Sequence, residues 1–510
     1  MVSWNTINEE KLKNLINSNT KVNKDNKIKK GEVFTPYFII KDMLDLYPKE
    51  VWTNPNLTWM EPGSGFGGFS ICVFYRLLHG LKKFEPDFTK RKNHILKNMI
   101  FMVELSSENV KKCKQILGNN INICNCDFFD IEKWSTQFNM ILFDNIIGNP
   151  PFNKDGMRGK GRKNKGFKNI WSEFIKISLE LLSKDGYLCF FTPNSWTELK
   201  STISKRMMEK QLLYYRNYDV FIAYKIFDKD AGSMPLCYYL LQNKNTKNNT
   251  EIYDKLTNKY VSYNIYDSYV IPTMNIELIK KVLKTTHKVG SLENDFYFTP
   301  PKVKSDSTKY SSSFSKKFCF PLINFVHKKI VLSYSCEKSK LQNLRPKLVF
   351  PNYSMGYPIL DREGILDVGG RSSYVIYLDD NKIQDLKLIQ KLFLTPLVFA
   401  IINSLKTAQK FLSTRTFDIV PNLTNTKIDF DVFDSEKLYK FLNLTEKETD
   451  GVQFQLTDGE GNLTDELKQK ILDFHLSDHL SKTNYNYILK EINKYDNDEI
   501  IKKRSKRSLI

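Results

Sequence analysis

Residues 148–152, Gly-Asn-Pro-Pro-Phe, have the side chains needed to act on an amino group of a planar ring. Two consecutive prolines fix the backbone and remove two N–H donors, so the turn is stiff. The side-chain oxygen of Asn149 and the carbonyl oxygen of Pro150 could accept both amino hydrogens, while Phe152 offers a flat surface for stacking. Such contacts would make an aromatic NH2 nucleophilic through orientation and electrostatics. A merely structural proline turn is the alternative.

A glycine-rich turn lies upstream, where residues 61–68 read Glu-Pro-Gly-Ser-Gly-Phe-Gly-Gly. Glycines let the backbone approach a ligand, and the following helix presents free N–H groups. Acids follow the next two apolar runs: Glu104 could accept the hydroxyls of a ribose, and Asp127 could meet an adenine amino group beside Phe128 and Phe129. Singly, these residues could be a tight turn or helix-capping acids. Together, they predict a nucleoside site.

Short apolar runs alternate with helical patterns from residue 31 to about residue 245. The runs cover residues 57–61, 99–104, 121–124, 140–147, 187–192, 220–226 and 235–242, and the helical patterns include residues 68–79, 106–117 and 170–183. This alternation predicts βαβ units and an α/β fold with a mostly parallel sheet covered on both faces. Ligands of such sheets lie outside the carboxyl ends of the strands, where the acids and the glycine turn stand.

Composition narrows the class of protein. The chain has 510 residues and a formal net charge of 77 − 57 = +20, with 41% hydrophobic and 13% aromatic residues. A disordered chain is excluded, and no apolar run approaches the roughly 20 residues of a membrane span. The eight sparse cysteines indicate a reducing compartment, and no second Cys or His pair joins Cys124 and Cys126 in a zinc site. The positive charge is consistent with nucleic-acid binding but does not decide it.

The Asn-Pro-Pro-Phe sequence with the glycine turn upstream resembles the S-adenosylmethionine-dependent amino-methyltransferases. Their first motif usually reads Asp-Pro-x-x-Gly-x-Gly, and residues 61–67 depart from it mildly by starting with Glu. Residues 31–36, Gly-Glu-Val-Phe-Thr-Pro, are similar to the family's segment that holds the methionine end of the cofactor. This motif order, with a large C-terminal region, is that of the gamma-class N6-adenine DNA methyltransferases. The resemblance covers residues 31–245 well and the rest only by position.

The resemblance implies a Rossmann-like methyltransferase domain with a mostly parallel seven-stranded sheet, plus a C-terminal α+β target-recognition domain. It implies S-adenosyl-L-methionine as cofactor, no metal, and methyl transfer to the N6 amino group of adenine in a specific double-stranded DNA sequence by base flipping. The implied catalytic residues are Asn149, Pro150, Pro151 and Phe152. The implied cofactor-binding residues are Thr35, Pro36, Glu61, Pro62, Gly63, Gly65, Gly67, Glu104, Asp127 and Phe128. The flipped base would stack on Phe152 and, from its other side, on Phe227.

Basic residues follow the Asn-Pro-Pro-Phe sequence directly: Lys154, Arg158, Lys160, Arg162, Lys163, Lys165 and Lys168. Residues 154–168 also include four glycines and a single acid. Such a segment cannot pack a core, and its charge suits DNA phosphates, although a solvated loop is the alternative. Sequence choice would come from the C-terminal region. There, residues 345–353 and 411–418 mix Arg, Asn and aromatics as base-edge readers would, or they form ordinary strands and loops.

Four stretches are expected along the chain. Residues 1–30 form a basic N-terminal arm, either frayed or a single helix, and residues 31–245 form the catalytic domain. Residues 243–250 indicate a linker, residues 251–450 the target-recognition domain, and residues 451–510 a helical extension with a basic tail. A Lys-rich segment at residues 81–97 is interpreted as an insertion.

The favoured function is that of a restriction-modification methylase or a solitary methylase, acting on double-stranded DNA as a monomer in the cytoplasm. A separate cognate restriction endonuclease would be a second partner, and no membrane contact is expected. A fused nuclease is not expected, since no metal-carboxylate cluster is evident. N4-cytosine methylation stays open, as do RNA guanine-N2 or protein-glutamine methylation and a DNA-binding protein with an inactive methyltransferase fold. The basic tail at residues 502–507 could be a nuclear-import address, but nothing else indicates a nucleus.

Overall fold

The protein is described by a computed structural model. The described residues are 3–20, 34–153, 169–197, 202–231, 234–268, 270–284, 296–299, 308–326, 329–351, 358–368, 373–378, 382–405, 416–457 and 464–493. Two compact units divide the chain, Met1–Thr273 and Met274–Ile510. The first unit holds the large sheet and the predicted site residues that fall within the described ranges.

The first unit alternates helices and strands, as its sequence pattern predicts. Its strands are β1 Trp59–Pro62, β2 Ile100–Glu104, β3 Asn122–Asn125, β4 Phe143–Gly148, β5 Leu182–Pro193, β6 Gln211–Tyr218, β7 Leu236–Gln242, β8 Thr250–Asp254 and β9 Lys259–Tyr263. Its α-helices are α1 Glu9–Asn19, α2 Tyr37–Asp45, α3 Gly68–Gly80, α4 Phe88–His94, α5 Ser107–Leu117, α6 Ile131–Phe138, α7 Trp171–Glu180, α8 Thr202–Met208, α9 Val220–Ala231 and α10 Ile265–Ser268.

The large sheet has the strand order β3-β2-β1-β4-β5-β7-β6-β8-β9. Strands β1 to β5 pair in parallel, and β7 runs antiparallel between β5 and β6. The mixed α/β architecture with a mostly parallel sheet is therefore confirmed, with two strands beyond the seven expected. Strand β1 lies between β2 and β4, so the strand order reverses there. A reversal of this kind opens a ligand crevice at the carboxyl ends of the two strands.

The central strands are apolar along their whole length because helices cover both faces of the sheet. Every residue of β1 and of β2 is buried, including the acids Glu61 and Glu104. This continuous burial is typical of parallel sheets. It also means that each of the two carboxylates needs hydrogen-bond donors inside the protein.

One predicted strand, residues 220–226, is wrong, because this segment is part of helix α9. The preceding strand is β6, Gln211–Tyr218. Asp219 caps the helix, since its Oδ1 accepts a hydrogen bond of 3.0 Å from the backbone N–H of Ile222. The buried side chains of Ala223 and Phe227 are four positions apart and share one helix face.

The N-terminal arm contains a packed helix, and its frayed alternative is wrong for the described residues 3–20. Helix α1 buries Leu12 and Ile16, and its N-cap Asn8 accepts a hydrogen bond from the N–H of Lys11. Before the helix, the Trp4 indole N–H donates to the Ile116 carbonyl at 3.1 Å. The residues from 21 to 30 lie outside the described part of the chain.

The predicted insertion at residues 81–97 and the chain after residue 245 are also part of the folded unit. Residues 81–97 contain α4 and lead into a π-helix, Ile95–Met99. Strand β8 pairs in parallel with β6, and β9 pairs with β8, so the sheet continues past residue 245, the predicted end of the domain. The predicted domain boundaries otherwise stay predictions.

The second unit is a mixture of strands and helices. Its strands are β10 Phe296–Thr299, β11 Tyr310–Ser311, β12 Phe320–Val326, β13 Lys329–Ser335, β14 Lys347–Pro351, β15 Ile359–Asp361, β16 Asp367–Val368 and β17 Ser373–Tyr377, in the sheet orders β10-β17-β14-β15 and β11-β13-β12-β16. Its α-helices are α11 Ile276–Leu283, α12 Ile383–Phe393, α13 Pro396–Leu405, α14 Glu436–Phe441, α15 Glu446–Thr457, α16 Asp465–Leu472 and α17 Lys482–Asn493.

Part of the segment predicted to read bases lies in the core of this second unit. Lys347 is 0% exposed and pairs with Asp361 at 2.6 Å, and Phe350 is also buried. Residues 347–350 of β14 are therefore core, and the base-reading prediction is wrong for them. The second predicted base-reading segment covers residues 411–418. Its residues 411–415 lie outside the described ranges, and its Phe417 is buried.

No single helix in the described ranges is long and apolar enough to cross a membrane. The pair α12 and α13 passes that test by length and composition, but the two helices are bent by 67° to each other.

Candidate functional site

The glycine turn (residues 61–67) requires glycine for geometric reasons. Gly63, Gly65 and Gly67 have φ angles of +66°, +56° and +81°, a region that side chains disfavour. A Cβ atom on Gly65 would lie 2.6 Å from Cε1 of Phe34. The Ser64 N–H donates to the Val103 carbonyl at 3.0 Å, which fixes the turn against β2.

Glu61 holds the start of helix α3 from inside the protein. Its carboxylate accepts hydrogen bonds from the N–H groups of Ser70 at 2.8 Å and Phe69 at 3.4 Å. Burial raises the pKa of Glu61 to about 7, with a smaller contribution from the nearby charge of Glu104, while the bonds from α3 oppose the shift. Glu61 therefore joins β1 to the start of α3 through these hydrogen bonds.

Glu104 joins the glycine turn to the end of β2. Its Oε2 accepts a hydrogen bond of 2.7 Å from the Gly65 N–H, and its Oε1 accepts one of 2.8 Å from the Ser106 N–H. The Asn109 amide donates to the same Oε1 at 3.4 Å. The carboxylate is thus held at the crevice, next to the turn, as the predicted role requires.

The end of β3 places Asp127 at the surface beside two aromatic rings of different exposure. The Asp127 carboxylate accepts a hydrogen bond of 3.0 Å from the Phe129 N–H. Phe128, the ring predicted from sequence, is 3% exposed and stacks on Phe174, with centroids 5.0 Å apart. Phe129 is 37% exposed, and Leu105, after Glu104, is 71% exposed. Phe129 is therefore the more exposed of the two rings predicted beside Asp127, and Leu105 adds apolar surface that the sequence did not indicate.

The NPPF turn (residues 149–152) lies against the glycine turn. A Cβ atom on Gly63 would be 3.4 Å from Cδ of Pro151, so the two turns are in contact through these residues. Gly148 precedes the NPPF turn at the end of β4, within 4 Å of the positions of Glu61 and the Pro62 carbonyl. Pro150 is buried, while Asn149, Pro151 and Phe152 are partly exposed.

A second contact joins the NPPF turn to the segment that precedes α2. The Asn149 side-chain Nδ2 donates a hydrogen bond of 3.1 Å to the buried Thr35 Oγ1. This bond uses the donor end of the amide and so fixes the direction of Oδ1, the acceptor end. Pro36, the next residue, is the N-cap of α2. Residues 31–33 of the predicted cofactor segment lie outside the described part of the chain.

Phe227, the predicted second stacking ring, lies on α9 and faces the core. Its ring centroid is 5.4 Å from that of Phe191, and its side chain is buried. Phe152 is partly buried and packs against the same hydrophobic cluster. The two rings therefore border one cluster, and stacking on a base stays a prediction for both.

The predicted DNA-contacting residues Lys154, Arg158, Lys160, Arg162, Lys163, Lys165 and Lys168 all lie outside the described ranges. The residues that flank them are described. Asn153 and Asn169 form an antiparallel β-bridge, and the Ile170 N–H donates to the Phe152 carbonyl at 3.1 Å. The residues on both sides of the basic segment (residues 154–168) are thus paired next to the NPPF turn.

Within the described residues, no group of three or more His, Cys, Asp or Glu side chains could hold a metal ion. The absence of a metal cofactor stays a prediction. The eight cysteines are free thiols, and Cys124 and Cys126 lie with their sulfur atoms 3.3 Å apart in the buried end of β3.

The family comparison agrees with the resemblance seen in the motifs. Residues 75–227 match the family model described as Eco57I restriction-modification methylase. The matched range includes Glu104, Asp127, the NPPF turn and Phe227, and it begins after the glycine turn. The chain thus carries an Eco57I restriction-modification methylase domain, and the predicted relationship to adenine-specific restriction-modification methylases is confirmed.

Individual relatives carry related names. An uncharacterized adenine-specific methylase of Mycoplasma pneumoniae is 26% identical over 315 residues, which cover 46% of this chain and 73% of that protein. Type II methyltransferase M.BsuBI of Bacillus subtilis is 25% identical over 34% of this chain and 35% of its own length. Among solved structures, the crystal structure of the type I restriction enzyme EcoKI M protein is similar to this chain with a TM-score of 0.31 and 17% sequence identity. The similarity covers 43% of this chain and 48% of that one.

Proposed function

We propose that this chain, which carries an Eco57I restriction-modification methylase domain, transfers a methyl group from S-adenosyl-L-methionine to the N6 amino group of adenine in double-stranded DNA. The observation that carries the proposal is the contact between the two turns, with Gly63 beside Pro151 and Asn149 bonded to Thr35. It brings the predicted cofactor residues and the predicted amino-group acceptors to one crevice. The family match supports a restriction-modification setting, in which a separate endonuclease would be a partner.

The described residues of the crevice fit the proposed cofactor. Glu104 offers carboxylate oxygens at the end of β2, where ribose hydroxyls would lie. Leu105 and Phe129 extend from neighbouring strand ends and present apolar surface for the two faces of an adenine ring, with Asp127 beside them. The positive φ angles of the glycine turn leave room for close approach of a ligand to the backbone. When bound, S-adenosylmethionine supplies an electrophilic methyl group.

The NPPF turn would orient and activate the target amine. The Asn149 Oδ1 and the Pro150 carbonyl oxygen would accept its two hydrogens, which favours a tetrahedral nitrogen with a localised lone pair. Phe152 would stack on the base, and Phe227 would approach the other face only after leaving its packed position on α9. No strong base is required, because the amine loses a proton after it becomes positively charged. Extrusion of the base from a duplex costs about a few kcal/mol, which stacking and these hydrogen bonds offset.

The basic segment would bind the DNA backbone beside the extruded base. Its flanks are held by the Asn153–Asn169 bridge, next to Phe152. Replacing Lys160, Arg162 and Lys163 by Ala should weaken DNA binding and reduce the slope of log K against log salt by about 2 to 3. Replacing the exposed Lys82, Lys83 and Lys97 by Ala removes the same charge elsewhere and should leave that slope unchanged. An unchanged slope in the first variant would contradict this role.

One assay separates the proposed reaction from its alternatives. The protein is incubated with tritiated S-adenosylmethionine and with DNA, RNA and a protein extract in separate reactions. Label in duplex DNA alone is expected. Label in RNA or in glutamine side chains would replace the proposal with one of the other amino-methyltransferase activities. No label in any acceptor, with DNA binding retained, would indicate an inactive fold.

A further inference from the structure

The segment of residues 34–37 contacts both turns of the proposed site. The Phe34 ring packs edge-on against Phe66 of the glycine turn, with centroids 4.9 Å apart and ring planes at 87°. Its neighbour Thr35 accepts the hydrogen bond from Asn149 in the NPPF turn. A shift of this short segment would therefore move contacts in the glycine turn and in the NPPF turn together.

Helix α1 holds the other end of the same segment. Helix α2 starts at Tyr37, and its N-cap Pro36 has no side chain that can cap it. The cap comes instead from Asn17, whose Oδ1 accepts a hydrogen bond of 3.2 Å from the Tyr37 N–H. The Tyr37 hydroxyl also donates to Glu9 Oε1 at 3.1 Å. Both bonds come from α1, with Asn17 and Glu9 lying 20 and 28 residues before Tyr37 in the chain.

Helix α1 is itself fixed to the first unit, so it can serve as a support. Leu12 and Ile16 lie in the same hydrophobic cluster as the buried residues of α2, and Trp4 is bonded to the Ile116 carbonyl at the end of α5. A residue that caps a helix from outside fixes both the position and the direction of its first turn.

We propose that Asn17 is a positioning residue for S-adenosylmethionine binding, which it supports through the capped start of α2 and through Thr35. The inference rests on the proposed function. Asn17 touches neither cofactor nor target base and acts through a segment that contacts both turns, so its loss is expected to raise the KM for S-adenosylmethionine and to lower kcat, and the KM for DNA serves as the comparison. A residue needed only for stability would lower the active fraction and leave both KM values unchanged.

The test compares three variants of the full chain by methyl-transfer kinetics and by calorimetric binding of S-adenosylmethionine. Asn17→Leu keeps the size and loses the acceptor, and the KM and Kd for the cofactor are expected to rise about three- to tenfold. Asn17→Asp keeps an acceptor at the helix start and should restore wild-type values. Asn14→Leu makes the same change on the exposed side of α1 and should have no effect.

A wild-type cofactor Kd in a folded Asn17→Leu variant would overturn the inference. If that variant does not fold, Asn17→Ala removes the same acceptor without adding apolar bulk, and the same rise in cofactor KM is expected, with an unchanged KM overturning the inference. Failure of the proposed function has a different signature, since wild-type protein would then place no label in duplex DNA, whereas failure of this inference leaves that label intact and the cofactor Kd of Asn17→Leu at the wild-type value.

Discussion

Asn149 donates a 3.1 Å hydrogen bond to Thr35 across 114 positions of sequence. Thr35 precedes the first strand of the sheet, and Asn149 follows the fourth, so the bond spans the point where the strand order reverses. It connects the segment proposed to hold the cofactor with the turn proposed to hold the target amine. The geometry of the amine acceptor therefore depends on a residue of the cofactor segment.

The first prediction concerns this bond. Thr35→Val keeps the shape of the side chain and removes the hydroxyl, and kcat should fall about two- to tenfold because Asn149 loses the contact that directs its amide. Thr35→Ser keeps the hydroxyl and should stay close to wild type. Steady-state methyl transfer measures both variants, and equal kcat values for them would contradict a role for the bond.

The second prediction concerns the contact between the turns. Gly63→Ala adds a Cβ in van der Waals contact with Cδ of Pro151 (3.4 Å) at a φ of +66°, and the backbone strain, on the order of 1–2 kcal/mol, should shift the glycine turn against Pro151 and reduce activity about five- to thirtyfold. Gly118→Ala is the control, since its φ of +108° is also strained but no atom lies within 4 Å. Gly118→Ala should lower stability and leave the activity of the folded protein intact. The opposite ranking of the two activities would contradict the contact.

The third prediction separates the two rings after Asp127. Phe129→Ala should weaken S-adenosylmethionine binding and cost less stability than Phe128→Ala, because Phe129 is 37% exposed whereas Phe128 is 3% exposed. Phe128→Ala should lower the free energy of unfolding by about 3–5 kcal/mol, because it empties the space between Phe174 and Trp134. Calorimetry of binding and chemical denaturation measure the two effects. Strong loss of cofactor affinity only in a folded Phe128→Ala variant would reverse the assignment.

The fourth prediction is a pH dependence of stability. The pKa of Glu61 rises from 4.5 to about 7 in the folded protein. Between these two pH values the folded state binds more protons than the unfolded state, so this residue makes the free energy of unfolding fall as pH increases from about 4.5 to about 7. Glu61→Gln should remove that part of the slope.

The control for Glu61→Gln is Glu132→Gln on the exposed face of α6, which should keep the wild-type slope. Chemical denaturation at a series of pH values between 4.5 and 8 measures the free energy of unfolding of each variant. An identical slope in Glu61→Gln and wild type would show that the carboxyl group of Glu61 is not protonated in the folded state.

The parts of the site that depend on local chemistry could be predicted from the sequence. A glycine turn after an apolar run, an acid at the end of the next run and a Pro-Pro turn after the fourth each carry their signal in a few adjacent residues. The parallel pairing of these strands follows from their alternation with helices. The positions of β1 to β5 and of Glu104 were accordingly predicted close to where the structure has them.

The parts that depend on packing could not be predicted in the same way. Residues 220–226 are apolar enough to be predicted as a strand. They form a helix instead, because Asp219 caps its start and because Ala223 and Phe227, four positions apart, share its buried face. Phe128 and Phe129 are identical in sequence terms and both contact the Phe174 ring, and only the fold shows that Phe128 is buried while Phe129 is 37% exposed. Lys347 looked like a surface residue because its partner Asp361 comes from another strand. The Asn17 cap of α2 has no sequence signal, since a cap normally comes from the adjacent residue.

The most direct test is nucleoside analysis of duplex DNA after incubation with tritiated S-adenosylmethionine. We predict that wild-type protein places the label on N6 of adenine, that Asn149→Ala places none above background, and that Asn93→Ala, on the exposed side of α4, behaves as wild type. Label on N4 of cytosine would show that the substrate base is cytosine and not adenine. Label at the wild-type level in Asn149→Ala would contradict the central claim that the NPPF turn activates the amine.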